Sequence, residues 1–210
     1  MAFVAVYAAL FVWYTSLWGP LRPEEIDAYL AIMNQRGAPP EEVARLKRFM
    51  EEDSGDDFVM VNAIELREPP TRMEGVEPGD TASEVLDRYM EYMWPALLQR
   101  ACHPVLMGWA AAPAFDLWGV EGGESWTRAA AMRYRSRRDM MEVAMDPRFQ
   151  GRHEFKLAAM RKTITFPIDP WFQLGDPRLV LGLLFLVVGL AYHSSFVARR
   201  AERSPPRTPE

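Results

Sequence analysis

Side chains able to do chemistry are few in this chain. It holds one cysteine, Cys102, and three histidines, His103, His153 and His193. Cys102 sits directly before His103, which raises a thiol nucleophile beside its base. Neighbours in sequence seldom face each other usefully, and a free cysteine generally behaves as a small hydrophobe, so a buried Cys102 is the expectation. A single cysteine also excludes an intrachain disulfide and any Cys/His zinc pattern, and no metal is expected. No G-x-S-x-G, H-E-x-x-H or P-loop occurs. The acidic stretch Glu51–Asp57 (EEDSGDD) has the residue types of a calcium loop without its spacing or terminal Glu, which predicts a solvated helix end and turn.

One basic cluster stands out, Arg133, Arg135, Arg137 and Arg138. Alternate residues of a strand point the same way, so Arg133, Arg135 and Arg137 could share a face and serve an anion or an interface. Pairing with Asp139, Glu142 or Asp146 is the stronger expectation and makes the cluster structural. The net charge of −5 disfavours nucleic acid as a partner, since phosphate binding needs a basic face.

The elements that position these residues lie between two apolar runs. Leu179–Ala198 is a run of 20 residues without a charge, and Ala2–Trp18 is a second of 17. A helix rises about 1.5 Å per residue and roughly 20 apolar residues cross the hydrocarbon core. Both runs are therefore read as transmembrane helices, with Trp13, Tyr14 and Trp18 as an interfacial belt on the first. Gly182 and Gly189 share one helix face, and Ala5 and Ala9 another, as candidate packing surfaces. Arg199, Arg200, Arg203 and Arg207 follow the second run, which by the positive-inside rule puts the C-terminus in the cytoplasm of a bacterial inner membrane and the central domain in the periplasm after two crossings.

Between the runs, Pro23-Glu24-Glu25 opens a helix and a second runs from about Pro40 to Glu52, together a two-helix adaptor. Strands are expected at Phe58–Leu66, Pro104–Ala112, Ser125–Tyr134 and Lys162–Ile168. A long helix starts with the capping box at Thr81 and should kink or split near Trp94 because of Pro95. Further helices start at Ser136 and Asp146. The order β-α-β-β-α-β is that of a ferredoxin-like α+β sandwich. Helices on one face leave the other open, and such sheets commonly pair face to face. The organisation is residues 1–19 membrane helix, 20–57 adaptor, 58–170 ferredoxin-like domain, 178–198 membrane helix and 199–210 disordered basic tail.

Several residues in place resemble the dimeric α/β-barrel superfamily, and within it small proteins of unknown function distantly similar to antibiotic-biosynthesis monooxygenases. They are Trp126 and Arg128 opening a strand, Met132-Arg133-Tyr134-Arg135-Ser136-Arg137, Asp146-Pro147-Arg148-Phe149-Gln150, His153, and the segment Ala158 to Phe166, with Leu97-Leu98-Gln99-Arg100 leading into the strand at Val105. The resemblance covers about Phe58 to Ile168. It implies a fold whose members work without metals, bind haem, or only bind small molecules. Candidates for an open pocket are then Asn62, Glu65, His103, Trp109, Trp126, Tyr134 and His153. Haem-degrading relatives use an Asn, a Trp and a His on elements comparable to those of Asn62, Trp126 and His153, although the gap from Trp126 to His153 is longer than that motif has. No cofactor is expected, with haem or a pigment contact, for example at His193, as the alternative.

Two functions follow as expectations. The first is a non-catalytic accessory subunit of a larger bacterial membrane complex, respiratory or photosynthetic, with complex subunits or a second copy of itself and the lipid bilayer as partners. The second is a membrane-tethered small-molecule- or haem-binding protein, or a cofactor-independent monooxygenase-like enzyme.

Overall fold

A computed structural model describes residues 2–149 and 151–202. Gln150 of the D-P-R-F-Q segment, and Arg203 and Arg207 of the basic tail, lie outside the described residues. The described residues form two compact units, one from 2–12 with 171–202, the other Trp13–Pro170.

In chain order the helices and strands are α1 (Ala2–Tyr14), α2 (Pro23–Gln35), α3 (Pro40–Glu51), β1 (Phe58–Leu66), α4 (Ala82–Gln99), β2 (His103–Trp109), β3 (Arg128–Tyr134), α5 (Arg137–Met145), α6 (His153–Ala159), β4 (Met160–Ile168) and α7 (Pro177–Glu202). The four strands make one antiparallel sheet in the order β2-β3-β1-β4. With α4 between β1 and β2 and α6 between β3 and β4, this is the ferredoxin-like arrangement.

Each element has a local cause. Thr81 caps α4 by accepting from the Glu84 N–H while the Glu84 carboxylate accepts from the Thr81 N–H. Val85, Leu86, Met93 and Leu97 recur at helical spacing and bury one face of α4 against the sheet. Ile64 and Leu66 of β1 meet Val85, Leu86, Phe155 and Ala158 in one cluster, and Met93, Leu97, Cys102 and Val143 form the next. Cys102 is buried there, and desolvation pushes its thiol up to about 11, so it stays protonated and inert. The adaptor helices share a core with α5: Leu21, Ile26 and Met50 pack on Met141. They belong to the same unit as the sheet.

Pro95 does not split its helix. α4 is continuous from Ala82 to Gln99. A proline removes one backbone donor, and the burial of Met93, Ala96 and Leu97 around it holds the turn in place. The segment after Asp146 differs from the expected single helix: a 3-10 turn at Pro147–Phe149 leads through Gly151, at φ +85°, into the short α6. A positive φ interrupts a right-handed helix and suits glycine. β3 starts at Arg128, three residues later than expected, and β2 ends at Trp109, three earlier.

In the smaller unit, Asp176 caps α7 by accepting from the Arg178 N–H at 2.7 Å, with Pro177 as the first helical residue. Residues Pro177–Val197, with mean hydropathy 2.0, are long and apolar enough to cross a membrane. α1 has 13 residues, about 20 Å at 1.5 Å per residue, which is shorter than a span. Gly182 is where α1 and α7 meet. A Cβ there would lie 3.2 Å from the Tyr7 hydroxyl, which donates to the Arg178 carbonyl, and the Tyr7 ring meets Phe185 edge-on. Gly189 has no neighbour within 4 Å of its would-be Cβ, and Ala5 and Ala9 are exposed. The α1 contact thus uses Tyr7 where the sequence pointed to the alanines.

Candidate functional site

The arginine cluster is densely bonded. Arg133, near the end of β3, is fully buried. Its Nε donates to Asp57 Oδ2 at 2.8 Å, and its two terminal nitrogens donate to the carbonyls of Ala101 and Tyr14, each at 2.9 Å. The guanidinium also lies over the Tyr14 ring, 3.6 Å from its centroid. Each of its three nitrogens has a partner, which is the condition under which a buried arginine is tolerated. Arg135 forks onto Asp139 at 2.6 and 2.9 Å and donates to the Trp13 carbonyl. Arg137 donates to the Phe49 carbonyl, stacks over the Phe49 ring and faces Asp53. Arg138 grips Glu25 and the carbonyls of Gly19 and Pro20.

Together the four arginines fasten the segment Trp13–Pro20 and the adaptor helices to the end of the sheet. Ser136 orders the corner, capping α5 by accepting from the Asp139 N–H and donating to the Asp139 carboxylate. The Arg135–Asp139 pairing is as the sequence suggested. The other carboxylates differ: Glu142 goes to Arg100 and Asp146 to Arg148, while Asp57, Asp53 and Glu25 serve the cluster. Arg133, Arg135 and Arg137 do not present one free face, because β3 ends at Tyr134 and Arg137 already belongs to α5. The acidic stretch is the expected helix end and turn, with Glu51, Glu52, Ser54 and Asp56 exposed, and departs from it at Asp53. The Asp53 side chain is 2% exposed, accepts from the Leu21 and Gly55 N–H groups, and takes its place beneath the linker. Gly55 is required there, at φ +85°, because a Cβ would lie 2.5 Å from the Gly19 carbonyl carbon.

The pocket candidates are spread through the sheet. His103 pairs across from Arg133 and its Nε2 is 2.7 Å from the Tyr14 hydroxyl. Trp109 is across from Arg128, whose guanidinium lies over its ring, at the other end of β2 and about 20 Å away at 3.3 Å per residue. The Asn62 side chain is bonded to the Met60 and Ala130 carbonyls and to Thr165. Tyr134 stacks on Phe58, and burial pushes its phenol up. Trp126 lies under the Lys162 ammonium, which pairs with Glu65, and that pairing holds the Glu65 carboxyl below its usual range. His153, on α6, meets the Tyr89 ring edge-on, and burial lowers its pKa. By strand alternation Asn62 shares the face of Ile64 and Leu66, which pack on the helices, whereas Glu65 points to the opposite face. Glu65 and Trp126 share Lys162, whereas His103 and Trp109 lie at opposite ends of β2, so the seven do not share one pocket. His193, on α7, is exposed.

The opposite face of the sheet is apolar. Register places Val61 and Ala63 beside Ala129 and Ala131 on one side and Ile164 and Phe166 on the other, with Leu106 beyond. Leu106, Ile164, Phe166 and Ile168 are exposed.

No family model matches the chain, and no curated protein matches it either. Among solved structures, a protein of unknown function from Rhodopseudomonas palustris is 19% identical with a TM-score of 0.51, over 64% of this chain and 95% of that one. What is shared is the fold. Two weaker likenesses are a dimeric protein of unknown function and ferredoxin-like fold from Bacteroides fragilis (14% identity, TM-score 0.33, 54% of this chain, 96% of that chain) and a putative antibiotic biosynthesis monooxygenase from Bacteroides thetaiotaomicron (11%, 0.31, 57% and 93%).

Sequence reasoning missed Tyr14, Asp53, Asp57 and Glu25 as partners of the arginines. The available signal was charge balance: four arginines within six residues need more carboxylates than Asp139 supplies, and the acidic stretch immediately before β1 comes beside them where Phe58 pairs with Tyr134.

Proposed function

We propose that the protein is a membrane-tethered accessory subunit that acts by binding other protein chains. The observation that carries this reading is the arginine cluster. It spends the only concentrated positive charge of an acidic domain on fixing the linker Trp13–Pro20 and the adaptor, so the domain is held rigidly to its own leading segment. A rigid link suits a subunit whose orientation in an assembly matters. α7 supplies the tether to a bacterial inner membrane, with α1 as a second crossing or an interfacial partner, the basic tail on the cytoplasmic side and the sheet domain on the other. The partners are subunits of a larger respiratory or photosynthetic complex. The exposed apolar sheet face supports a second copy of the chain as an additional partner.

The test is solubilisation of native membranes in mild detergent, followed by native sizing, mass spectrometry and an absorption spectrum. Migration with a large assembly is the expected result. Recovery as an isolated monomer or dimer at native abundance overturns the reading.

A further inference from the structure

The loop between β2 and β3, residues 110–127, is an organised projection with an unusual surface. Two backbone bonds close it, Ala110 N–H to the Thr127 carbonyl at 2.9 Å and Ala114 N–H to the Glu124 carbonyl at 3.1 Å. Lys162 donates to the Gly122 carbonyl at its base. Inside it, Leu117 and Val120 close over Gly123, where a Cβ would lie 2.9 Å from each side chain. Turns at Gly119 (φ +68°) and Gly122 (φ +66°) make that inward packing feasible. Leu117 and Val120 stay part-exposed, at 39% and 46%, while Phe115 is 98% and Trp118 93% exposed. Asp116, Glu121 and Glu124 lie between and after them, and the loop carries no basic residue.

A loop that partly covers Leu117 and Val120 and leaves Phe115 and Trp118 in solvent presents contact area, and Trp is enriched among the residues that dominate interfaces. A lipid surface fits poorly. Carboxylates with no ion pair among the described residues oppose an anionic leaflet. The loop also leaves the sheet at the Trp109–Arg128 end, whereas the chain enters this unit at Trp13–Tyr14 and leaves after Ile168, both at the His103–Arg133 end. A β2 strand of seven residues separates the two ends by about 20 Å.

We propose that this loop is a docking arm for a partner protein that offers an apolar slot for Phe115 and Trp118, rimmed by Arg or Lys facing Asp116, Glu121 and Glu124. The proposal rests on the accessory-subunit reading and names the surface by which the subunit is held.

The test places a photo-crosslinker in the full-length chain in its own membranes, as Ala114→p-benzoylphenylalanine, which leaves both aromatics in place. Leu157→p-benzoylphenylalanine, at an exposed apolar position on α6, is the control. Illumination is expected to give one discrete adduct from position 114 and none from 157, with the crosslinked partner peptide lying in a segment that carries Arg or Lys. Adding Phe115→Ser and Trp118→Ser should lower adduct yield about thirtyfold, the effect of losing hot-spot anchors. Asp116→Lys, Glu121→Lys and Glu124→Lys should lower it about tenfold, as should high salt for the unaltered loop. The proposal is overturned by equal adducts from 114 and 157, by adducts only with lipid or with a second copy, by no adduct, or by yields that neither set of substitutions changes. An assembly that survives native sizing while position 114 yields nothing overturns the docking arm alone. Absence of a large assembly for the unaltered chain overturns the accessory-subunit reading itself.

Discussion

The two ends of the sheet treat charge and aromatic surface in opposite ways. At the His103–Arg133 end every arginine has its carboxylate or carbonyl, and the aromatic rings of Tyr14 and Phe49 are covered by guanidinium groups. At the Trp109–Arg128 end the acids of the loop make no ion pair among the described residues, and Phe115 and Trp118 stand in solvent. Residue types alone do not distinguish them, since both ends combine aromatics with charge. The difference is satisfaction. The first end is closed and stabilises the fold; the second is open and has capacity left for a partner.

The contrast breaks most visibly at Arg133. Arg133→Ala takes away the guanidinium that bonds Asp57 and the carbonyls of Ala101 and Tyr14, and removing one member of a buried pair costs about 3–5 kcal/mol. For a chain of this size that is a fall of roughly 10 °C in melting temperature. A melt of the full chain in detergent checks it, and a change below about 2 °C would mean that the cluster does not hold this end together.

Gly55→Ala tests the same end through the backbone. The new methyl meets Gly19 and Pro20 main-chain atoms, which cannot move aside as a side-chain tip can, and the positive φ adds strain. About 2 kcal/mol of destabilisation is expected from left-handed strain and contact together. Gly37→Ala is the companion measurement. It also has a positive φ, with nothing within 4 Å of its would-be Cβ, so it should cost less. Equal effects at Gly37 and Gly55 would remove the linker contact from the account.

The closed end was legible in the sequence as components and not as an assembly. β1 matches its predicted bounds, Phe58–Leu66, because its length and β-branched content admit no competing helix. The strand order follows from β-α-β-β-α-β, and the Thr81 cap and the buried Cys102 follow from local rules. The partners of Arg133 do not. Tyr14 is 119 residues away, in a run whose composition reads as membrane, and Asp57 sits in a stretch whose composition reads as solvated. Composition reports average preference, whereas a buried arginine selects partners by tertiary position. The spread of Asn62, Trp126 and His153 was equally hidden, because assigning residues to elements leaves open which face of a sheet each one takes.

Acid should loosen the closed end gradually. Hydrogen bonding from Arg138 holds the Glu25 carboxyl at about 2, against an ordinary value of 4.5. A carboxyl depressed by folding adds stability that is complete above about pH 4.5 and is lost as pH falls towards 2. The difference in melting temperature between the native chain and Arg138→Ala should therefore be largest near neutral pH and shrink as pH drops below about 4.5. The effect is modest because Glu25 is partly in solvent. A difference that stays constant from about pH 6 to pH 3 would show that Arg138 acts through the Gly19 and Pro20 carbonyls instead.

The smallest expected effect on stability belongs to the open end, and it sharpens the comparison most. Phe115→Ser with Trp118→Ser removes two of the largest side chains in the protein. If they stand in solvent, nothing in the fold depends on them, and the melting temperature of the isolated chain should move by no more than surface substitutions do, within about 0.5 kcal/mol. Leu117→Ser should cost more, although leucine is smaller, because Leu117 closes over Gly123. A loop that Leu117 and Val120 help to shape while Phe115 and Trp118 stand in solvent has those two aromatics for use outside the chain. A clear destabilisation by the aromatic pair would instead make them part of the fold and leave both ends of the sheet closed.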